Sequence, residues 1–148
     1  MRALIQRVRR ASVRVDSRTI ASIDNGLCVF LGIHHQDTAE DSDYIIRKLL
    51  SLRLFPSPEG EMAMSLSESG YQLLLVSQFT LYGDARKGTR PSWSDAMPPE
   101  EARNMYDDFS RRLREQYPHV EEGIFGAAME VELSNQGPVT LLVESKKS

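Results

Sequence analysis

The sequence predicts a mixed α/β fold: one domain over residues 1–148, with a curved, barrel-like mixed β-sheet core and two main helices packed against it. Three observations predict this. A chain of 148 residues that is 41% hydrophobic and 26% charged can bury a real core, and its composition is neither disordered nor fibrous. Its apolar runs, such as Leu27–Leu31 and Leu73–Val76, are strand-sized. Only the segments after Thr38 and after Pro98 carry apolar residues at helical spacing.

Residues 2 to 33 read as strands. In "ALIQRV", Leu4, Gln6 and Val8 share one face, while Ala11, Val13 and Val15 continue the apolar face in the opposite parity. The switch at Arg9-Arg10 predicts a bulge or turn. Asp16-Ser17 is a hairpin turn between "SVRV" and "TIASI", and Asn25-Gly26 opens the buried strand "LCVFLGI". Thr38 followed by Asp41 is a capping-box pattern, so a helix runs to about Leu52 with Ile45, Leu49 and Leu52 on its inner side. "LRLF" predicts a short strand and "PSPEGEMAM" a loop. Pro98-Pro99 with Glu100 and Glu101 opens a second helix, because proline suits the first turn and acids favour its positive end. Ala102, Met105, Tyr106, Phe109 and Leu113 form its core face. "AAMEVELSNQGPVTLLVES" predicts two strands around Asn135-Gln136-Gly137-Pro138.

A formal net charge of -3 argues against a protein whose whole surface coats nucleic acid. Basic groups are local: Arg7, Arg9, Arg10 and Arg14 near the start, Arg86, Lys87 and Arg90 beyond Thr80, and Arg111, Arg112 and Arg114 on the second helix. The single Cys28 excludes an internal disulfide and sits in a strand as a small hydrophobe. No apolar run approaches the roughly 18 residues that span a bilayer, and "MRALIQRVRR" lacks the apolar region of a signal peptide. A cytosolic protein with no membrane attachment is expected. There is no phosphate loop, dinucleotide glycine pattern, CxxC or HExxH. His34 and His35 follow a strand, where alternate pointing makes joint metal ligation awkward, so no metal site is expected there or at His119.

The candidate site lies in "LLLVSQFTLYGDARKGTRPSW", residues 73 to 93. A buried strand ends at Ser77-Gln78-Phe79-Thr80, with a basic, Gly- and Pro-marked loop behind it. Such a strand end can present backbone N–H groups and small polar side chains to a ligand. Ser77 and Thr80 are candidate nucleophiles, with no His or Lys nearby in sequence as an activating base.

"SQFTLYGDARKGTRPSW", "NQGPVT", "MRALIQRVRRASVRV" and "GIFGAAMEVEL" together resemble the D-aminoacyl-tRNA deacylase family, formerly called D-tyrosyl-tRNA deacylases. The resemblance covers essentially the whole chain. It implies hydrolysis of the ester between a D-amino acid and the terminal adenosine of tRNA, with glycyl-tRNA as a further substrate and no metal or organic cofactor. The partners it implies are the acceptor end of D-aminoacyl-tRNA and a second copy of the chain, in a homodimer with active sites at the subunit interface. Ser77, Gln78, Phe79 and Thr80 would line the aminoacyl pocket, with the Phe79 amide facing the oxyanion and Thr80 near the scissile bond. Gly137 and Pro138, joined by a cis peptide bond, would enter the opposite subunit's site and reject L-amino acids. Arg7, Arg86, Lys87 and Arg90 are the expected tRNA contacts. The chain departs from the family pattern at Ala63, often Asn, at Gln136, often Asp, and at Asp16-Ser17, often an Asp/Glu-Gly turn. Two other functions stay open on the residues alone: a non-enzymatic nucleic-acid-binding module, and a small-molecule esterase using Thr80.

Overall fold

In the computed structural model, which describes residues 1–146, the sheet is organised on one long strand, β1 (Arg2–Val15). Its first half pairs antiparallel with β3 (Gly26–Gly32) and its second half with β2 (Arg18–Ile23), while β8 (Glu130–Glu144) pairs along its other edge. Asp16 and Ser17, at φ 50° and 66°, close the β1–β2 hairpin. Against β8 the register slips between Gln6 and Val8 and again between Val8 and Arg10, the irregularity that the parity switch predicts. Its purpose is visible in the packing. Ala3 and Ile5 enter one core, and Val8, Ala11 and Val13 enter another, so the strand must change faces. Leu4 and Gln6 are only half-buried, a correction to the inner face expected for the first half.

The sheet continues from β3 through parallel pairings to β6 (Gln72–Ser77) and then β7 (Val120–Glu122). Parallel neighbours need long crossovers. Between β3 and β6 the chain makes α1 (Ala39–Ser51), a hairpin of β4 (Arg53–Ser57) and β5 (Gly60–Ser65), and the short α2 (Leu66–Ser69); between β6 and β7 it makes α3 (Pro99–Gln116). Ile45, Ile46 and Leu49 of α1 and Tyr106, Phe109 and Leu113 of α3 join Ile5, Leu27, Val29 and Leu31 of the sheet in the larger core. The second core, with Val8, Val13, Ile23, Leu74 and Val76, lies inside the curl of the nearly closed, barrel-like sheet. Cys28 is buried there, and burial pushes its thiol up to about 12, consistent with an inert packing role.

Three expectations need correction. Residues 53–65 form the β4–β5 hairpin rather than a strand and a loop. Pro56 falls between paired positions and Pro58 in the turn, so neither removes a ladder hydrogen bond. The C-terminal region is one strand rather than two: Asn135 faces Val8 and Thr140 faces Gln6, so residues 136–139 bulge out opposite Arg7 alone. The Gly137–Pro138 bond within the bulge is cis. Finally, α2 and β7 are too short to carry a periodicity and were not expected. Among the described residues no helix is long and apolar enough to cross a membrane.

Thr38 caps α1 as expected, its N–H donating to Asp41 Oδ2 at 2.9 Å. Asp41 also accepts from Ser145 Oγ at 2.7 Å and faces Lys146 Nζ at 3.2 Å. Burial works against its charge, but these partners win and hold the carboxyl down at about 2. A depressed carboxylate pKa contributes stability above the unfolded value, about 3.9, and that contribution is lost as pH falls through about 2. Asp41→Asn is therefore expected to lower the unfolding free energy at pH 7 and to approach wild type near pH 2 in urea titrations. An equal deficit at both pH values would mean that the carboxylate charge contributes nothing.

Candidate functional site

Strand β6 ends at Ser77, which pairs with Leu31, and the Gln78 N–H donates to Leu31 O at 2.8 Å. The chain then turns into one turn of 3-10 helix, Phe79–Tyr82, through Leu81 N–H to Gln78 O and Gly83 N–H to Thr80 O. The first amides of a helix have no acceptor behind them. Among the described residues neither the Phe79 nor the Thr80 N–H has a hydrogen-bond partner. Gly32, at the end of β3, allows the turn to approach: a Cβ there would lie 2.9 Å from Leu81 Cβ and 3.2 Å from Gln78 O. The Gln78 Nε2 group donates to Thr80 Oγ1. The neighbour of the hydroxyl is thus an amide.

Phe79 is 57% exposed and meets Trp93 edge to face at 5.4 Å. The two rings border a cleft of about 480 Å³, walled further by Met97, Pro98, Ala102 and Phe125. Trp93 is positioned by the loop that leads to it, where Asp84 and Ser92 exchange two backbone hydrogen bonds of 2.8 and 2.9 Å. Gly83 packs directly on its ring; a Cβ would come within 2.5 Å of Trp93 Cζ3. Phe125 leans on Tyr106 at 5.5 Å, and the Arg103 guanidinium carbon lies 4.8 Å from its ring centre. Trp93 and Phe125, which line the cleft, and Arg103, which packs on Phe125, are not among the site residues expected from sequence. The available signal was an aromatic residue in each of two Gly- or Pro-marked loops.

The other expected site residues fall elsewhere. Arg7 is 2% exposed and donates from Nε to Gln136 O and from Nη2 to Gly137 O, both at 3.2 Å, and from Nη1 to Leu54 O at 2.7 Å. With its donors engaged inside the fold it cannot meet a phosphate, which corrects its assignment as a tRNA contact. Arg86 is exposed but tied to Asp84 by two side-chain bonds of 2.9 and 2.7 Å, which hold the Asp84 carboxyl at about 2. Lys87 and Arg90 are exposed and, among the described residues, in no ion pair. The Gly137–Pro138 bulge is not at the Phe79 turn. Ser77 is level with Leu31 and Ala3, whereas the bulge is level with Arg7 and Leu27. Four strand residues, about 13 Å, separate those levels.

The two adjacent histidines do converge, contrary to expectation. The His34–Ala96 bridge and the His35 N–H to Asp95 O bond fold two loops together, so the imidazole rings stack at 4.2 Å beside the Asp95 carboxylate. Burial and the neighbouring His35 lower the pKa of His34, which favours its neutral ring. Its Nδ1 accepts the Gln36 N–H at 3.0 Å, which leaves the ring proton on Nε2 and no free lone pair for a metal.

The family model described as D-Tyr-tRNA(Tyr) deacylase matches residues 4–144. The chain is 50% identical over 147 residues to a D-aminoacyl-tRNA deacylase of Kosmotoga olearia, covering 99% of each chain. It is 51% identical over 145 residues to a protein of the same name from Teredinibacter turnerae, covering 98% of this chain and 100% of that one. It is also similar to the solved structure of a c-Myc DNA unwinding element binding protein, with TM-score 0.94 and 41% identity over 99% of this chain and 100% of that one.

Trp93 is the only tryptophan of the chain, so its fluorescence reports on the cleft. Gly83→Ala is expected to displace the ring, shifting its emission to longer wavelength and costing about 1–3 kcal/mol of stability by overpacking, with far-UV circular dichroism unchanged. An unshifted emission maximum would show that the ring is not held by Gly83. Arg7→Met should be costlier, about 2–4 kcal/mol by chemical denaturation, because carbonyls of three segments lose their donor. A loss below about 0.5 kcal/mol would contradict the bonding described.

Proposed function

The chain belongs to the D-Tyr-tRNA(Tyr) deacylase family, and on that premise we infer how residues 1–148 act as a single D-aminoacyl-tRNA deacylase domain. It is a hydrolase of the ester bond in aminoacyl-tRNA. One observation carries the mechanistic reading: the unpartnered Phe79 and Thr80 amides open beside an aromatic-walled cleft. The ester carbonyl lies against the Phe79 N–H, which stabilises the oxyanion formed when water adds; one such preorganised donor is worth roughly 100- to 1,000-fold in rate. The terminal adenine stacks in the cleft, where an aromatic face contributes about 1–3 kcal/mol per base. The ribose hydroxyl beside the ester assists water, since Thr80 has no base. Ser77 and Gln78 shape the pocket floor. Nucleic-acid binding without chemistry would account for the aromatic cleft but would need no unpartnered amides beside it.

Chirality is read by the Gly137–Pro138 segment of a second copy. The separation of the bulge from the Phe79 turn supports this, because a two-fold axis can bring one copy's bulge to the other's cleft. Leu142, Leu4 and Phe30 form an apolar row in register across three strands, with Leu142 50% exposed, as such a contact requires. A Cβ on Gly137 would meet nothing within 4 Å in its own chain, so the space beside it is free for a substrate to approach. A rigid backbone wall on one side of the amino acid excludes an L side chain, admits a D one, and leaves glycine unopposed.

Purified protein is expected to deacylate D-tyrosyl-tRNA rapidly and glycyl-tRNA in part, and to spare L-tyrosyl-tRNA. Equal hydrolysis of both enantiomers would remove the proofreading reading. Thr80→Ala should keep most activity, whereas replacing the ester-adjacent ribose hydroxyl by hydrogen should cost far more; the reverse result would favour a nucleophilic Thr80. Gly137→Ala should slow D-ester turnover while unfolding stability changes by less than about 0.5 kcal/mol. Full activity in a protein that sediments as a monomer would exclude the cross-subunit arrangement.

A further inference from the structure

The arginines of α3 are not equivalent. Arg111 pairs with Asp108 and Glu115, Arg112 with Asp108 and Asp43, and Arg114 with Glu122. Arg103 has Glu100 and Asp107 at helical spacing, yet among the described residues it pairs with neither. Its guanidinium instead lies over the Phe125 ring at 4.8 Å, with Nη2 3.5 Å from Phe125 O and 3.3 Å from the Cβ position of Gly126. Ala102, Phe125 and Gly126 all line the cleft, so this exposed, unneutralised cation stands at its rim.

We propose that Arg103 binds the phosphodiester that joins the terminal nucleoside to the rest of the RNA. The inference rests on the reading that the cleft takes that nucleoside. A base and ribose satisfy apolar walls, but the 5′ phosphate is charged and must leave at the mouth. There it needs a cation not already committed to a carboxylate. A guanidinium can stack on an aromatic ring with its plane and still present two N–H groups to phosphate oxygens, which a lysine ammonium cannot. Only the 3.5 Å contact to Phe125 O has to be given up, at the outer limit of hydrogen-bond distance.

The test compares D-tyrosyl-tRNA, 3′-O-D-tyrosyl adenosine, which has no phosphate, and the same ester of adenosine 5′-monophosphate. Wild type should hydrolyse all three; failure on all three would refute the deacylase reading itself, and this inference with it. Arg103→Ala is expected to raise KM for D-tyrosyl-tRNA about tenfold at unchanged kcat and to reduce the slope of log KM against log salt by about one. It should raise KM for the monophosphate ester as well and leave the phosphate-free ester unaffected. Arg103→Lys should recover part of the loss, and Arg103→Glu should exceed the alanine effect. An equal loss on the phosphate-free ester would overturn the proposal, since Arg103 would then only support the Phe125 wall. Unchanged kinetics on all three substrates would overturn it too.

Discussion

A guanidinium buried among four strands sets the geometry on which the C-terminal motif depends. Arg7 of β1 donates to the carbonyls of Leu54 in β4, Glu61 in β5, and Gln136 and Gly137 in β8. Burying an arginine costs several kcal/mol unless its donors are satisfied, and here backbone carbonyls satisfy them in place of a carboxylate. The requirement runs both ways. The β4–β5 hairpin must sit where its carbonyls reach the charge, and residues 136–139 must leave the ladder to turn theirs inward. Gly137 and Pro138 are therefore displayed on a bulge fixed from beneath.

At the other end of β3 the site arises because hydrogen bonding stops. Strand β6 pairs as far as Ser77, and the tight turn that follows leaves two amides without acceptors among the described residues. Gly32 and Gly83 let that turn pack against β3 and Trp93 more closely than a side chain would permit. The result is a polar backbone edge beside an apolar, aromatic cleft. An ester with a nucleoside on one side presents the same two characters in the same order. Charge is unevenly committed in an acidic chain: Arg86 is paired with Asp84, while among the described residues Lys87, Arg90 and Arg103 are in no ion pair.

The sheet register also separates the two motifs. The Phe79 turn and the Gly137–Pro138 bulge lie toward opposite ends of β3, so the two motifs do not meet within one chain. This separation is what the proposed symmetric pair would need, since a two-fold axis can bring one copy's bulge to the other's turn.

Elements whose signals are local can be read directly from the residues. The capped helix after Thr38, the proline-opened helix after Pro98, the turn at Asp16-Ser17 and the face change near Arg9-Arg10 all follow from residue periodicity and turn chemistry acting over a few residues. The end of the buried strand at Ser77 was legible in the same way, and the motifs carried the family resemblance. The surroundings of Arg7, Trp93, Phe125 and Arg103 emerge only once the chain is folded. An arginine near a chain end has the same local signature whether it faces solvent or is enclosed by strands formed about 50 and 130 residues later. The histidine pair and the β4–β5 hairpin were misjudged for the same reason. Which backbone carbonyls and ring faces converge on a side chain is fixed by pairing between distant strands, and neither propensity nor spacing encodes that partner directly.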